Sequence, residues 1–323
     1  MKVLIFEFIS GGGLNKETLP NTLLNEGLIM LNAVIEGFSS MKNIQLVVMQ
    51  DFRVKTKLSS SNITRAVIYK HQNYFHEFIN LSKTCSFVWP IAPEFNSILL
   101  NLCKAVAHEK LLISIPSAIE ITSNKFLTYK FLTRHKITTV PTQLFSLDCH
   151  YESTHMLKSI DGAGCNENLL ITTKTEFDNA PFHVNKYIIQ PHIIGITTSI
   201  SCLFYNEEAR VISYNLQEFR LTNNNYQLEK ITVNHSPFNH HHQTLASKIA
   251  KAIPGLWGYI GIDLIETIDN IFVLEINPRL TTSFAGIYPS LGINLVEEIF
   301  ILKNKNVINS TNNAIFLINL NNY

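Results

Sequence analysis

The sequence predicts an α/β unit followed by an α+β remainder, on three observations. Strand-like and helix-like segments alternate over residues 1–120, which favours a parallel sheet with helices packed on it. From about 121 to 200 the pattern becomes mixed around a glycine loop, as in a small lid. Near the C-terminal end, two apolar strands joined by a tight turn are interrupted by Asp263, Glu275, Asn277 and Arg279. The expected domains are an N-terminal parallel-sheet domain over 1–120, a lid over 121–195 and a C-terminal α+β domain over 196–323.

The first strand runs from Val3 to Ile9 and ends in the glycine turn Ser10-Gly-Gly-Gly13. That position is where a parallel sheet opens its ligand crevice, so the turn either lines a pocket or is simply tight. A helix is expected from about Leu19 to Phe38, then strands at Ile44 to Met49 and Phe87 to Ile91. Pro93-Glu94 opens a helix whose Leu99, Leu102 and Val106 recur at helical spacing. A short strand is expected from Leu111 to Ile115, and Asn124 is placed to cap a helix containing Lys125, Leu127 and Phe131. Strands follow through Met156-Leu-Lys158, Tyr187 to Gln190, Thr198 to Tyr205 and Val211 to Asn215, with a helix at about Leu245 to Ala252. After the acidic hairpin come a helix beyond Asn294, a polar turn at 304–313 and a last strand from Ala314 to Leu320.

The 26 basic and 25 acidic residues nearly cancel, which argues against a broad nucleic-acid or anionic-membrane surface. Small molecules are the expected partners. Cys85, Cys103, Cys149, Cys165 and Cys202 are odd in number and unpaired in spacing, so a reducing cytoplasm is the expected compartment. The opening apolar run is broken by Glu7 and reads as a strand rather than a signal peptide. The consecutive His240, His241 and His242 point in different directions and read as a solvated loop rather than a metal site. Homo-oligomerisation is compatible with this composition.

Glu275 and Asn277 lie two apart and share one face of a strand, with Leu274 and Ile276 on the other. For Asp263 to join them across an antiparallel pair, the connecting loop must hold an odd number of residues. Ile268-Asp-Asn270, with Asn270 left-handed, meets that condition. Asp263, Glu275 and Asn277 then present oxygen ligands suited to Mg²⁺, with Mn²⁺ as an alternative ion; a solvent-facing hairpin is the competing interpretation. Lys158, at the end of a strand, precedes Gly162 and Gly164; taken alone this is a hairpin turn, and beside the acidic hairpin it becomes a phosphate-contacting loop.

Leu274-Glu-Ile-Asn-Pro-Arg279 and Met156-Leu-Lys-Ser-Ile-Asp-Gly-Ala-Gly-Cys165 together resemble the ATP-grasp superfamily, although Ser159 and Cys165 replace the family's usual proline and glycine. The resemblance implies an ATP-grasp fold with an N-terminal pre-ATP-grasp domain, and ATP as cofactor. It implies that Lys125 and Lys158 approach phosphates, that Gly162 and Gly164 lie in the loop closing over them, and that Arg279 contacts the γ-phosphate and then an acyl phosphate. Tyr187 to Gly195 corresponds to the adenine hinge; its ribose-binding acid is missing, leaving Gln190 or His192 as a partner, and Pro191 has no amide to donate. Asn215 and Gln217 match a pair that faces the active site in related ligases.

Val3 to Leu14, Ile91 to Glu94, Gly255 to Asp263 and Asn277 to Ser283 are similar to a subgroup joining the γ-carboxylate of glutamate to tyramine in methanofuran-type cofactor biosynthesis. The implied activity is amide formation through an acyl phosphate, with release of ADP and phosphate. Thr281, Thr282 and Ser283 are candidates for holding a substrate carboxylate, Glu7 and Glu94 for the base, and Phe6, Phe8 or Trp89 for an apolar wall. The alternative is a kinase-like or nucleotide-sensing protein that binds Mg-ATP without joining substrates.

Overall fold

The computed structural model describes residues 1–55, 61–146, 149–162, 168–180 and 186–303, and the backbone of 316–319. In the first part, β1 (Lys2–Glu7), α1 (Asn21–Gly37), β2 (Gln45–Asp51), β3 (Ile63–Ile68), α2 (Tyr74–Thr84) and β4 (Phe87–Ile91) build a parallel sheet in the order β3-β2-β1-β4. The central strand is apolar on both faces because both are covered. Val3 and Ile5 pack with Met30, Leu31 and Val34 of α1, whereas Leu4 and Phe6 pack with Phe78 of α2 and with Leu99 and Leu102 of α3 (Ile98–Lys104). The glycine turn after β1 is tight: the Gly11 amide donates to the Glu7 carbonyl, and Gly12, at φ +99°, lies where a Cβ would meet Ile68 at 2.7 Å.

The expected strand at Leu111 to Ile115 reduces to a bridge to Val88, because Pro116 starts α4 (Pro116–Thr122) at once. Next comes α5 (Lys125–Arg134), whose first turn is capped by Asn124 Oδ1 accepting from the Leu127 amide at 2.9 Å. A second sheet follows, made from β5 (Gln143–Leu144), β6 (His155–Ser159), β7 (Asn168–Ile171) and, after α6 (Lys174–Asp178), β8 (Tyr187–Pro191). It is antiparallel, ordered β5-β8-β6-β7, over a small core of Phe145, Leu157, Ile171, Phe177 and Ile189.

The third sheet contains β9 (Ile196–Tyr205), β10 (Glu208–Thr222), β11 (Asn225–Val233), β12 (Gly258–Glu266), β13 (Ile271–Asn277) and β14 (Phe316–Asn319), ordered β13-β12-β9-β10-β11-β14. Between β11 and β12 runs α7 (His240–Ala252), and α8 (Phe284–Leu291) and α9 (Leu295–Lys303) follow β13. The His240 to His242 run is the first turn of α7, not a loop. His242 is buried because its Nδ1 accepts from the Asn239 amide and its Nε2 lies 3.4 Å from Glu266 Oε2.

One face of this sheet packs on α4, α5 and α7. Its other face shares a core with the first sheet, where Leu203, Ile231 and Tyr259 join Val3, Trp89 and the residues of α8 and α9. The β10–β11 hairpin turns through Asn223 and Asn224, both at positive φ, as a two-residue loop demands. Its tip reaches the second sheet: the Asn224 carbonyl accepts from the Leu170 amide at 2.7 Å, and Asn224 Nδ2 donates to Glu176 Oε1. No single helix among the described residues is long and apolar enough to cross a membrane.

The acidic hairpin reaches its expected facing by another route. Its loop holds four residues, Thr267 to Asn270, and Asn270 is not left-handed. Pairing runs Glu266 with Ile271 and Leu264 with Val273, then shifts so that Asp263 faces Glu275. Leu274 is the extra residue of a β-bulge, and it supplies the odd count that the loop does not.

Candidate active site

A cleft of about 430 Å³ opens between the second and third sheets and is bounded on a further side by α1. Lys125, Lys158, Gln190, Asp263, Glu275, Asn277 and Arg279 all line it. Sequence reasoning therefore brought together residues that lie up to 154 positions apart.

Its acidic floor follows from the bulge. Asp263 Oδ1 accepts from Gln217 Nε2 at 3.0 Å and its Oδ2 from Asn277 Nδ2 at 2.9 Å. Even so, burial and then the facing Glu275 carboxylate push the Asp263 pKa up to about 6. Glu275 Oε1 accepts from Lys125 Nζ at 2.9 Å, and the same ammonium donates to the Gly162 carbonyl at 2.6 Å. The Lys125 amide donates to the Ile160 carbonyl, so the start of α5 is tied to the loop after β6 by both backbone and side chain.

Gly162 thus presents its carbonyl to Lys125; Gly164 and Cys165 lie outside the described residues. Asp161 holds the loop from the other side: one oxygen accepts from Ser159 Oγ and the other from the Asn96 amide beyond β4. Lys158 is buried on the cleft wall, and its charge, after burial, lowers the pKa of His192.

Gln190 is 4% exposed, and its Nε2 donates to Thr142 Oγ1 at 2.8 Å while its Oε1 is buried with no hydrogen-bond partner. Arg279 Nη2 pairs with Glu94 Oε2 at 2.8 Å, and Arg279 Nε and Glu94 Oε1 are likewise buried without one. Burial opposes the arginine's charge, but Glu94, followed by Glu275 and Asp263, outweighs it and raises the pKa. Glu7 is occupied elsewhere: its carboxylate accepts from the Ile9 and Ser10 amides and from Ser10 Oγ, while burial raises its pKa.

Several expected site residues lie outside the cleft. Phe6, Phe8 and Trp89 are at most 2% exposed within the helix-packed cores, because the strand alternation that makes them apolar also turns them under α1 and α2. The apolar wall comes instead from Met30, Phe219, Tyr226, Leu228 and Ile231. Leu274, expected on the far face, lines the cleft because it is the bulge residue. The glycine turn after β1 does not line it, and of the Asn215 and Gln217 pair, which lies within β10, only Gln217 does.

Asn215 is fully buried in a polar floor: it donates to Ser199 and Ser201 and accepts from Ser213. That floor continues from Ser201 to Tyr259 and on to Thr281. Thr282 and Ser283 line the cleft, but the amides of Phe284, Ala285 and Gly286 are already bonded to the carbonyls of Thr281 to Ser283. The hydroxyls of Thr282 and Ser283 are the side-chain donors offered to a carboxylate there.

Glu26 was missed by sequence reasoning. It sits one turn before Met30 on the apolar stripe of α1, the one signal that could have marked it. Gly27 beside it allows the helix to lie against Glu7, since a Cβ there would meet the Glu7 carboxylate at 2.5 Å.

The pattern of ATP-grasp domains matches residues 122–283, and that of a pre-ATP-grasp domain matches 44–119. The chain belongs to the ATP-grasp family. Over 306 residues it is 28% identical to tyramine–L-glutamate ligase of Methanocaldococcus jannaschii, covering 92% of this chain and 88% of that protein. Among solved structures, the fold of this ATP-grasp chain is shared with a superfamily member from Archaeoglobus fulgidus at a TM-score of 0.71, with 22% identity over 99% of this chain and 92% of that one. It is also shared with the L-amino acid ligase of Bacillus licheniformis at a TM-score of 0.67, with 14% identity over 94% and 73%.

Proposed function

We propose that the protein is an ATP-dependent carboxylate–amine ligase that forms an amide through an acyl phosphate and releases ADP and phosphate. The observation that carries this reading is the convergence of Lys125, Lys158 and Arg279 with Asp263, Glu275 and Asn277 on one cleft. L-glutamate and tyramine, or a closely related aromatic amine, are the proposed substrates, by analogy with the archaeal relative.

The residues suit a magnesium nucleotide. No cluster of three His, Cys, Asp or Glu that could hold a metal occurs among the described residues; the set here is two carboxylates and one amide, which suits an ion that keeps water and phosphate in its shell. Burial and then the Glu275 charge raise the Asp263 pKa, and a cation between the two carboxylates would offset both. Gln190 Oε1 and Arg279 Nε, on two cleft-lining residues, are buried without partners. Each such atom costs about 1–3 kcal/mol, which a side-chain shift on nucleotide binding would have to recover.

In this reading Asp263, Glu275 and Asn277 hold Mg²⁺, with Mn²⁺ as the alternative, and a divalent ion there neutralises phosphate charge. Lys125 and Lys158 bind the phosphates, which requires Lys125 to leave Glu275. Gly162 and Gly164 belong to the loop over them. Arg279 stabilises the charge on the transferred phosphoryl group and then the acyl phosphate, using its forked donors. Gln190 binds the nucleoside, and Thr282 and Ser283 hold the substrate carboxylate.

The chain is divided at 1–120, 121–195 and 196–323. Because Leu132 and Ile137 pack into the C-terminal core, the lid proper is the β5–β8 sheet rather than the whole middle segment. The setting proposed is cytoplasmic, with small-molecule partners and no nucleic-acid or membrane partner; a homo-oligomer is compatible with it.

Pro191 in the hinge favours one second reading, in which Mg-ATP is bound without ligation, as in a nucleotide sensor. Incubation with Mg-ATP and a panel of amino acids and amines, followed by ADP release and mass spectrometry, separates the two. Amide product is expected. Nucleotide binding with no pair stimulating ADP release would leave the sensor.

A further inference from the structure

Five carboxylates lie in or beside the catalytic cleft, and four are engaged by the protein. Asp263 is bonded to Gln217 and Asn277, Glu275 to Lys125, Glu94 to Arg279, and Glu7 to Ser10 and its own turn. Glu26 lines the cleft from α1 and forms no hydrogen bond or ion pair with any described residue. It is not at the rim, since burial raises its pKa against the opposing charge of Arg279. Its carboxylate is therefore open to the cleft and unclaimed by the described residues, where a bound cation can reach it.

Its surroundings define the ligand. Met30, four residues on, shares the face of α1 that Glu26 presents, and it packs in the same apolar cluster as Ile231 and Leu228 of β11. A carboxylate beside an apolar wall fits a cation with a hydrophobic body. Glutamate, whose body is short and polar, does not match it.

We propose that Glu26 receives the ammonium group of the attacking amine and takes its first proton, while Met30, Leu228 and Ile231 cover the amine's hydrophobic body. The inference rests on the ligase reading and replaces Glu7 and Glu94 as base candidates. The ammonium gives one proton to Glu26, and the free amine attacks the acyl carbon. The C–N bond forms as the bond from carbon to the phosphate oxygen breaks, the departing phosphate takes the second proton, and Glu26 returns its own to solvent.

The test compares two nucleophiles in the wild type and Glu26→Gln, across a panel of amino-acid carboxylates including L-glutamate. Tyramine and related arylalkylamines arrive charged and apolar. Hydroxylamine is small and uncharged near neutral pH, so it traps the acyl phosphate as a hydroxamate without an ammonium site. In the variant, amide formation is expected to fall at least tenfold more than hydroxamate formation, with the KM for the amine raised. Equal losses in both reactions would assign Glu26 a structural role, and unchanged amide kinetics would remove it from the site; either result overturns the inference alone. A wild-type protein yielding neither hydroxamate nor amide from any carboxylate overturns the ligase reading and this inference with it.

Discussion

Replacing Glu275 with glutamine keeps the length of the side chain and an acceptor for Lys125, but removes one of two facing negative charges. The variant is expected to fold normally and to lose at least a hundredfold in kcat, about 2.7 kcal/mol of barrier. Full activity together with wild-type Mg²⁺ dependence would remove Glu275 from the metal set. Glu94→Ala tests stability instead. It leaves Arg279 buried beside an empty carboxylate site, a loss expected to cost about 3 kcal/mol in urea unfolding, the low end for a broken buried pair because Asp263 and Glu275 still face the guanidinium. The cysteines provide a control on burial, which pushes the Cys103 thiol up to about 12 and that of Cys202 higher still. Neither should be alkylated in the native protein at pH 8, and rapid labelling of both would contradict the packing around them.

At the scale of elements, the β12–β13 hairpin sets which side chains enter the cleft. Deleting Leu274 removes the bulge and lets pairing past Val273 continue without a shift, which leaves Glu275 opposite Asp263 with both acids on the cleft face. Strand content in circular dichroism and Mg²⁺-dependent ADP release should both survive. Loss of ADP release in a folded variant would mean that the extra twist of the bulge is needed to aim the carboxylates. The acids themselves were readable in the sequence, because Asp263 and Glu275 interrupt otherwise apolar strands and such residues need a reason to be there. The bulge was not readable, since Leu274 is as apolar as a regular strand residue and only pairing reveals that it has no partner. Strand β11 escaped for a related cause: Asn225 to Lys230 is polar and half-exposed, and its hairpin turn is Asn-Asn without glycine. Glu26 was hidden by the ordinariness of a single acid on an amphipathic helix; what distinguishes it is the absence of a partner, a property of three dimensions.

For the molecule as a whole, nucleotide binding as proposed is expected to compete with the Lys125 contact to Glu275 and Gly162, which joins the loop of one sheet to the floor of another. Mg-ATP at a hundred times its Kd is expected to stabilise the fold by about 2.7 kcal/mol, visible as a raised Tm, and the shift should shrink when Mg²⁺ is chelated. No shift at any nucleotide concentration would contradict an ATP site in the cleft. The first and third sheets also share one apolar core, in which Val3 and Trp89 meet Leu203 and Tyr259. This joint core bears on heredity as much as on folding. A gene fragment encoding only residues 121–323 would specify half of an oil–water boundary, and its product should precipitate unless the first 120 residues are supplied in trans. Recombination that exchanges the N-terminal part between relatives must carry across both sides of that seam, so the cleft-lining Glu26 and Met30 of α1 are inherited together with the floor they face.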